Sequence, residues 1–389
     1  MVLLRVTLAF LVLILLPDWY IYKVYVSSDR RKWFRRVYWI PAVLLLLALL
    51  VFVSVHVHLS DYFGIYLILA LGITVPKAVF VLSSLFLRGV NRLCKLHLFH
   101  GKFSLIPAFA VCLYIGYGAI WGKENFRVKE VTFTSPDLPE TFDGYRILQL
   151  SDIHAGSWKG NSEALGRAIN LCNALQPDVV VFTGDLVNSH GDEIKTLMPV
   201  FSRLKAKDGV YSVLGNHDYA TYRSWRTEAE RLANVDILIA RQNKMGWQVL
   251  INEHRIIYRG NDSIALVGVE NSGQPPFPDR GNLPKALKGT EGMFKVLLSH
   301  DPTHWRRKVL PETDVQLMLA GHTHDMQISV FGFSVSRYVY PEHRGMYLEG
   351  KRGLYVNIGL GFVLFPMRLG AWPEITVITL RKEEYGFYS

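Results

Sequence analysis

Val179-Val180-Val181-Phe182-Thr183-Gly184-Asp185-Leu186-Val187-Asn188 is a β-branched apolar run that stops at a glycine and an aspartate. Four such apolar residues in a row, without helical spacing and closed by glycine, read as a short strand covered on both faces. The same phrase recurs along the chain. Tyr145–Leu150 ends at Ser151-Asp152-Ile153-His154, and Val210–Leu214 ends at Gly215-Asn216-His217-Asp218. Phe294–Leu298 ends at Ser299-His300, and Val315–Ala320 ends at Gly321-His322-Thr323-His324. Between these runs, Ser162–Leu175 and Ile194–Leu204 read as helices, while Leu354–Ile358 and Glu374–Leu380 supply later strands. Strands alternating with helices predict a layered α/β architecture. In such folds ligands collect at the carboxyl ends of strands, where loops present polar groups from a rigid base.

The residues before about 122 obey a different pattern. Half of the 389 residues are hydrophobic, and the excess lies in four stretches, about 2–26, 38–58, 62–87 and 104–121. Each approaches the roughly 20 residues needed to cross a bilayer. The first is too long and too poorly flanked for a cleaved signal peptide, so we expect it to be retained. The expected organisation is a transmembrane domain over 1–121 and a catalytic domain over 122–389. Arg30, Arg31, Lys32, Arg35 and Arg36 follow the first span, and Arg88, Arg92, Lys95 and Lys102 follow the third. Lysine and arginine mark cytoplasmic loops, which places the catalytic part outside the cytoplasm. Lys123, Arg127 and Lys129 after the last span oppose that orientation. Asp18 and Lys77 fall inside spans. An intramembrane charge is expensive and faces a partner or the bundle interior, so these two are expected to pair. Pro17 and Pro76 beside them leave a broken or re-entrant helix as the alternative.

The net charge of +10 sits largely in loops flanking the spans, where basic residues meet anionic headgroups. No aromatic–basic interleaving accompanies it, which argues against nucleic acid as a partner. Three widely separated cysteines, Cys94, Cys112 and Cys172, offer neither a disulfide framework nor a Cys-x-x-Cys metal pair. Oligomeric state is not legible.

Taken in order, the Asp-x-His, Gly-Asp, Gly-Asn-His-Asp, Ser-His and Gly-His-x-His motifs resemble the calcineurin-like metallophosphoesterases, in particular their membrane-associated bacterial branch. The resemblance implies an αββα two-sheet sandwich and two divalent metal ions (Mn, Fe, Zn or Mg). It implies that Asp152, His154 and His324 hold the first metal, that Asn216, His300 and His322 hold the second, and that Asp185 bridges them. It implies a hydroxide held between the ions that attacks phosphorus, with His217 protonating the leaving oxygen. Paired ions about 3.5–4 Å apart suit this chemistry because they acidify water and neutralise phosphate oxygens. Two positions depart from the family. Asn188 stands where much of the family has aspartate, so it is expected to accept a hydrogen bond from His217 without stabilising an imidazolium. Asp325-Met326-Gln327 stands where relatives often carry Gly-Gly-Gln.

The stretch from Leu354 to Leu380 resembles the end of the same branch, and Arg368 within it is a candidate phosphate contact. Phe362, Phe365, Met367 and Trp372 read as core, or as an acyl-chain contact if exposed. Phe331 to Glu349, with its Tyr338-Val339-Tyr340 run, reads as an insertion that shapes the substrate pocket. The expected activity is hydrolysis of a phosphate ester or pyrophosphate in a lipid or cell-envelope substrate, on the outer side of a bacterial inner membrane. Two alternatives stand beside it: a cytoplasm-facing hydrolase of a nucleotide-activated lipid such as UDP-2,3-diacylglucosamine, and a non-catalytic membrane scaffold.

Overall fold

The computed structural model describes residues 2–55, 61–96, 99–158 and 161–383. The chain divides into two units. One comprises Met1–Gly122 together with Leu364–Leu369, and the other comprises Lys123–Val363 and Gly370–Ser389. The short stretch Leu364–Leu369, expected in the catalytic part, therefore groups with the membrane unit.

The membrane unit contains α1 (Val2–Ile21), α2 (Lys32–Val37), α3 (Ile40–Val55), α4 (Asp61–Cys94) and α5 (His100–Ile120). A turn of π-helix, Tyr22–Val26, extends α1. Four stretches are long and apolar enough to span a membrane: Leu8–Val26, Lys32–Ser54, Tyr62–Cys94 and His100–Ile120. The third and fourth run further into the basic loop than expected. The end of the second expected span, 56–58, lies outside the described residues. No more than 22% of any span is buried. Leucine, valine and phenylalanine cover the outward faces, an arrangement that is stable only against lipid. The buried minority, Ile14, Ala42, Leu45, Leu49, Tyr66, Leu67 and Ala70, joins α1, α3 and α4.

Asp18 and Lys77 do pair. Lys77 Nζ lies 2.8 Å from Asp18 Oδ1, and the Tyr38 hydroxyl donates to the same oxygen at 2.7 Å. Pro17 and Pro76 sit inside continuous helices, so the broken-helix alternative does not hold. Within this unit Phe365 packs on the α1–α3–α4 cluster, and the Arg368 N–H donates to the Gly118 carbonyl at 3.2 Å. A Cβ at position 118 would stand 2.9 Å from the Arg368 carbonyl oxygen, so only glycine admits that approach.

The second unit is built on two six-stranded sheets. The first runs in the order β1 (Arg127–Ser135), β12 (Glu374–Lys382), β2 (Arg146–Leu150), β3 (Val179–Phe182), β4 (Val210–Ser212) and β5 (Trp247–Val249). The second runs β10 (Gly345–Glu349), β11 (Arg352–Val356), β9 (Leu317–Ala320), β8 (Phe294–Leu298), β7 (Asp262–Gly268) and β6 (Glu253–Arg259). The central strands β2–β5 and β7–β8–β9–β11 are parallel, and the antiparallel pairs lie toward the edges.

The period-two alternation of strand side chains explains the layering. On β3, Val179 and Val181 face the other sheet, in a core with Ile264, Leu266, Val296 and Leu319. Val180 and Phe182 face the opposite way, against Leu165, Ile169 and Cys172 of α6 (Ser162–Ala174) and Leu238 of α8 (Glu228–Lys244). Beyond the second sheet, Leu297, Met318 and Ala320 pack on Leu283, Trp305 and Val309. The result is the expected α/β two-sheet sandwich. Ile194–Leu204, expected as one helix, is instead a 3₁₀ turn, Gly191–Ile194, and a single turn α7, Met198–Phe201. Pro199 in that turn has no N–H to continue a helix begun upstream.

Candidate functional site

Each central strand stops and its chain turns sharply where a polar side chain is presented. Asp152, His154, Asp185, His322 and His324 all have φ between 50° and 75°. Non-glycine residues hold this left-handed region only where surrounding structure forces it, typically at functional sites. Tight approach supplies the force. A Cβ on Gly215 would lie 2.2 Å from Asp185 Oδ1, which is why a glycine precedes Asn216.

These turns bring the histidine and acid motifs together. Asp152, His154 and His324 place ligand atoms within 4.8 Å of one another, as do Asp185, His300 and His322, and likewise His154, Asp185 and His217. Asp185 belongs to two of these groups. Its Oδ2 lies 3.8 Å from His154 Nε2 and 3.2 Å from His300 Nε2. Asn216 Oδ1 is 3.1 Å from His300 Nε2, while its amide donates to the Tyr222 hydroxyl at 2.8 Å. His217 N–H donates to Asp185 Oδ1 at 2.8 Å.

Arg368 is fully buried and belongs to the stretch that groups with the membrane unit. Phe362 and Met367 are buried, in keeping with a core role. The hydrogen bond from His217 that the Asn188 side chain was expected to accept is accepted by the main chain instead: His217 Nδ1 lies 2.7 Å from the Asn188 carbonyl oxygen. The Asn188 amide turns to Ser157 Oγ at 3.1 Å.

The electrostatics are those of charge crowded into a dry space. Burial raises the Asp152 carboxyl, reinforced by Asp185 and countered by His300. Burial acts on Asp185 too, but the imidazoles of His300, His217 and His154 outweigh it and hold that carboxyl well below its usual range. Burial would also lower His300, yet Asp185 and Asp152 beside it push its imidazole up to about 10. His322 responds to burial first and drops to about 4.

Fit to cations can be judged from one contact. His154 Nε2 and His324 Nε2 face each other at 3.0 Å, with Asp152 Oδ1 3.3 Å from His324 Nε2. Two lone pairs cannot point at each other, so a proton or a cation must lie between such nitrogens. Asp152 and Asp185 close by attract positive charge to that position. His300 Nδ1 is committed to the Thr183 carbonyl at 2.7 Å, which fixes the tautomer that leaves Nε2 facing Asp185. Imidazole, carboxylate and amide oxygen form a donor set suited to first-row divalent ions.

Several supporting residues were not singled out from the sequence. Asp218, fully buried, accepts the N–H groups of Asp185, Leu186, Val187 and Gly215 at 2.9–3.1 Å, tying two ligand loops to one carboxylate. Burial and the neighbouring Asp185 raise its pKa. Glu193 accepts N–H groups of Gly156, Asn188, Ser189 and His190 at 2.6–3.0 Å. Tyr222 stacks on His217 with ring centroids 4.2 Å apart, and the Tyr340 hydroxyl lies 2.9 Å from His322 Nε2. Asp301, also buried, places Oδ2 4.0 Å from the same nitrogen. Asp218 and Asp301 directly follow motif histidines, the one signal that pointed to them. Tyr340 lies in the insertion expected to shape the pocket, whereas Tyr222 approaches through the fold and leaves no such trace.

Residues 145–326 match the family model described as calcineurin-like phosphoesterase. Residues 4–123 match a second, described as probable calcineurin-like phosphoesterase, transmembrane domain. A metallophosphoesterase of Bacillus subtilis, YkuE, is 31% identical over 295 residues, covering 72% of this chain and 95% of that protein. A zebrafish (Danio rerio) transmembrane protein with metallophosphoesterase domain is 32% identical over 278 residues, 68% of this chain. Its counterpart in cattle (Bos taurus) is 31% identical over 295 residues, 72% of this chain. The matches span 60% and 63% of the zebrafish and cattle proteins. The chain belongs to the calcineurin-like metallophosphoesterases, with a four-span transmembrane domain ahead of the phosphoesterase domain.

Proposed function

We propose that this membrane protein hydrolyses a phosphate ester or pyrophosphate bond in a lipid or lipid-linked envelope substrate, using two divalent ions. The family's fold implies divalent metal. The observation that carries the pair is the place of Asp185, within reach of both His154 and His300. On this reading Asp152, His154 and His324 hold one ion, Asn216, His300 and His322 the other, and Asp185 touches both. When bound, such ions supply a water acidic enough to attack phosphorus and neutralise charge on the phosphoryl oxygens.

The protein's own contribution is positional. Asp218 fixes the loops of Asp185 and Asn216. The Asn188 carbonyl accepts from His217 Nδ1, so the opposite nitrogen is the one that carries or gives a proton at the leaving oxygen. The lipid reading rests on the four spans: a single span suffices to anchor a domain, and an enzyme of soluble esters has no need of a larger membrane part. The loop charges favour an extracytoplasmic domain. Lys123, Arg127 and Lys129 favour a second reading, a cytoplasm-facing hydrolase of a nucleotide-activated lipid.

The test is release of phosphate or headgroup from defined lipids by the full chain in bilayer nanodiscs, beside an Asp185→Asn control. A reporter fused after Ser389 reads the side. Turnover of a bilayer phosphoester that the control lacks supports the reading; turnover of soluble esters alone overturns it.

A further inference from the structure

The loop that follows the Gly321-His322-Thr323-His324 turn has an unusual surface. Phe331, Phe333, Val335, Tyr338 and Val339 are all exposed, Phe331 completely and Tyr338 to 76%. Scattered exposed apolar residues are ordinary; five within nine positions of one loop form a patch that marks an interaction.

The loop is ordered from beneath. Val330 and Phe333 exchange backbone hydrogen bonds at 2.8 and 2.9 Å. Ser334 Oγ donates to the Asp325 carbonyl and accepts from Ser336 N–H. Arg344 spans Gly332 O at 2.6 Å and Asp325 Oδ2 at 3.2 Å. Phe333 and Tyr338 meet edge to face at 6.1 Å, with the Arg337 guanidinium 5.8 Å over the Phe333 ring. A chain held this firmly has already lost the entropy of ordering, so its apolar side chains are presented rather than left loose.

We propose that this tip is an interfacial contact that enters the headgroup region of a lipid bilayer. The chemistry selects that occupant. Aromatic rings interleaved with arginine are the side chains that settle between acyl chains and anionic headgroups. The four spans of the same chain tether the catalytic unit to a bilayer, which makes lipid the surface of highest local concentration. The tip is also wired to the metal-type ligands. Thr323 Oγ1 donates to the His343 carbonyl at 2.6 Å, and Tyr340 reaches His322. Lipid that meets the tip is thereby a few residues from the candidate site. This deepens the lipid-substrate reading and is tested apart from it.

The experiment uses the full chain with Cys94→Ala and Cys112→Ala. Buried Cys172, its thiol pushed up to about 12 by burial, stays unreactive. An environment-sensitive fluorophore is attached through Phe331→Cys, and separately through Tyr338→Cys. A label through Tyr258→Cys on β6, 75% exposed, serves as the solvent reference. In nanodiscs of phosphatidylcholine and phosphatidylglycerol, lipids carrying a nitroxide near the glycerol should quench labels 331 and 338 at least twofold more than label 258, as interfacial depth requires. Equal quenching at all three positions overturns the proposal. Label burial that grows with protein concentration and ignores the nitroxide lipid overturns it too, in favour of a second copy as the occupant. This readout needs no turnover, so it stands even if no lipid proves to be hydrolysed. If lipid is hydrolysed, the Phe331→Ser/Tyr338→Ser double variant should lose about tenfold more in kcat/KM on bilayer substrate than on a soluble phosphoester.

Discussion

Two regions of this molecule bury charge, and they do so in opposite ways. In the membrane unit Asp18 meets Lys77 and Tyr38 in a neutral set, each acceptor facing a donor. In the phosphoesterase domain three carboxylates, Asp152, Asp185 and Asp218, share a small volume with His154, His300, His322 and His324. There imidazole nitrogens face each other at 3.0 Å. The first arrangement is closed by its own members. The second is a ligand-type cluster of the kind that holds divalent ions in the family to which the chain belongs. Buried charge therefore reads as structure where the set is neutral, and as a site where it is not.

The comparison breaks most sharply at Asp185. Asp185→Asn should lower phosphoester hydrolysis roughly a thousandfold, because it removes a carboxylate within reach of both His154 and His300. Lys77→Met should leave hydrolysis of a soluble ester within about twofold, since the closed set does no chemistry there. Rates of both variants beside circular dichroism check this; equal losses would erase the distinction.

Cation addition is the next largest effect. Metal that binds only the folded state at a thousandfold over its Kd adds about 4 kcal/mol. Stripping the protein with a chelator and restoring Mn or Zn should therefore move the thermal unfolding of the phosphoesterase domain by several degrees. The Asp185→Asn protein should respond far less. An unchanged melting curve in the wild-type chain would contradict a cation-satisfied cluster.

The membrane pair gives the third. Lys77→Met alone leaves Asp18 buried without its partner, and we expect a loss of about 3 kcal/mol. Adding Asp18→Asn should recover much of it, because the remaining groups are neutral. Unfolding in mixed micelles measures the cycle. Additive losses would mean that the pair is not closed.

What the sequence revealed follows the same division. The ligand turns were legible because strand, glycine and ligand are consecutive: Val179–Phe182, Gly184, Asp185. The Asp18–Lys77 pair was legible because hydrocarbon leaves few partners for either charge. Tyr222 was not, and Tyr340 was legible only as part of a pocket-shaping insertion, since the tertiary fold alone carries it, 18 residues along the chain, to His322. The short α7 was misread because apolar spacing over 194–204 resembles a helix, and the decisive feature is the missing N–H of Pro199. Leu364–Leu369 follows catalytic-domain strands in the chain, yet Phe365 packs on the α1–α3–α4 cluster and the Arg368 N–H donates to Gly118.

The smallest expected effect is the most specific. An asparagine in place of the family's aspartate suggested a weakened partner for His217. The structure gives His217 Nδ1 a main-chain carbonyl instead, 2.7 Å away, and the Asn188 side chain is engaged with Ser157. A carbonyl holds the ring tautomer as well as a carboxylate does, but brings no charge. Asn188→Ala should then change kcat by less than about threefold, whereas His217→Gln should lower it about a hundredfold or more by removing the proton donor. Asn188→Asp is the sharper variant. Its carboxylate would face Ser157 and the Glu193 carboxylate, which already accepts the N–H of residue 188 at 2.6 Å. Like charges brought together in a half-buried loop destabilise one another. We expect no gain in rate, together with a small loss of stability that fades as pH falls and one carboxylate takes a proton. A gain in kcat for Asn188→Asp would show that the side chain and not the carbonyl governs the imidazole.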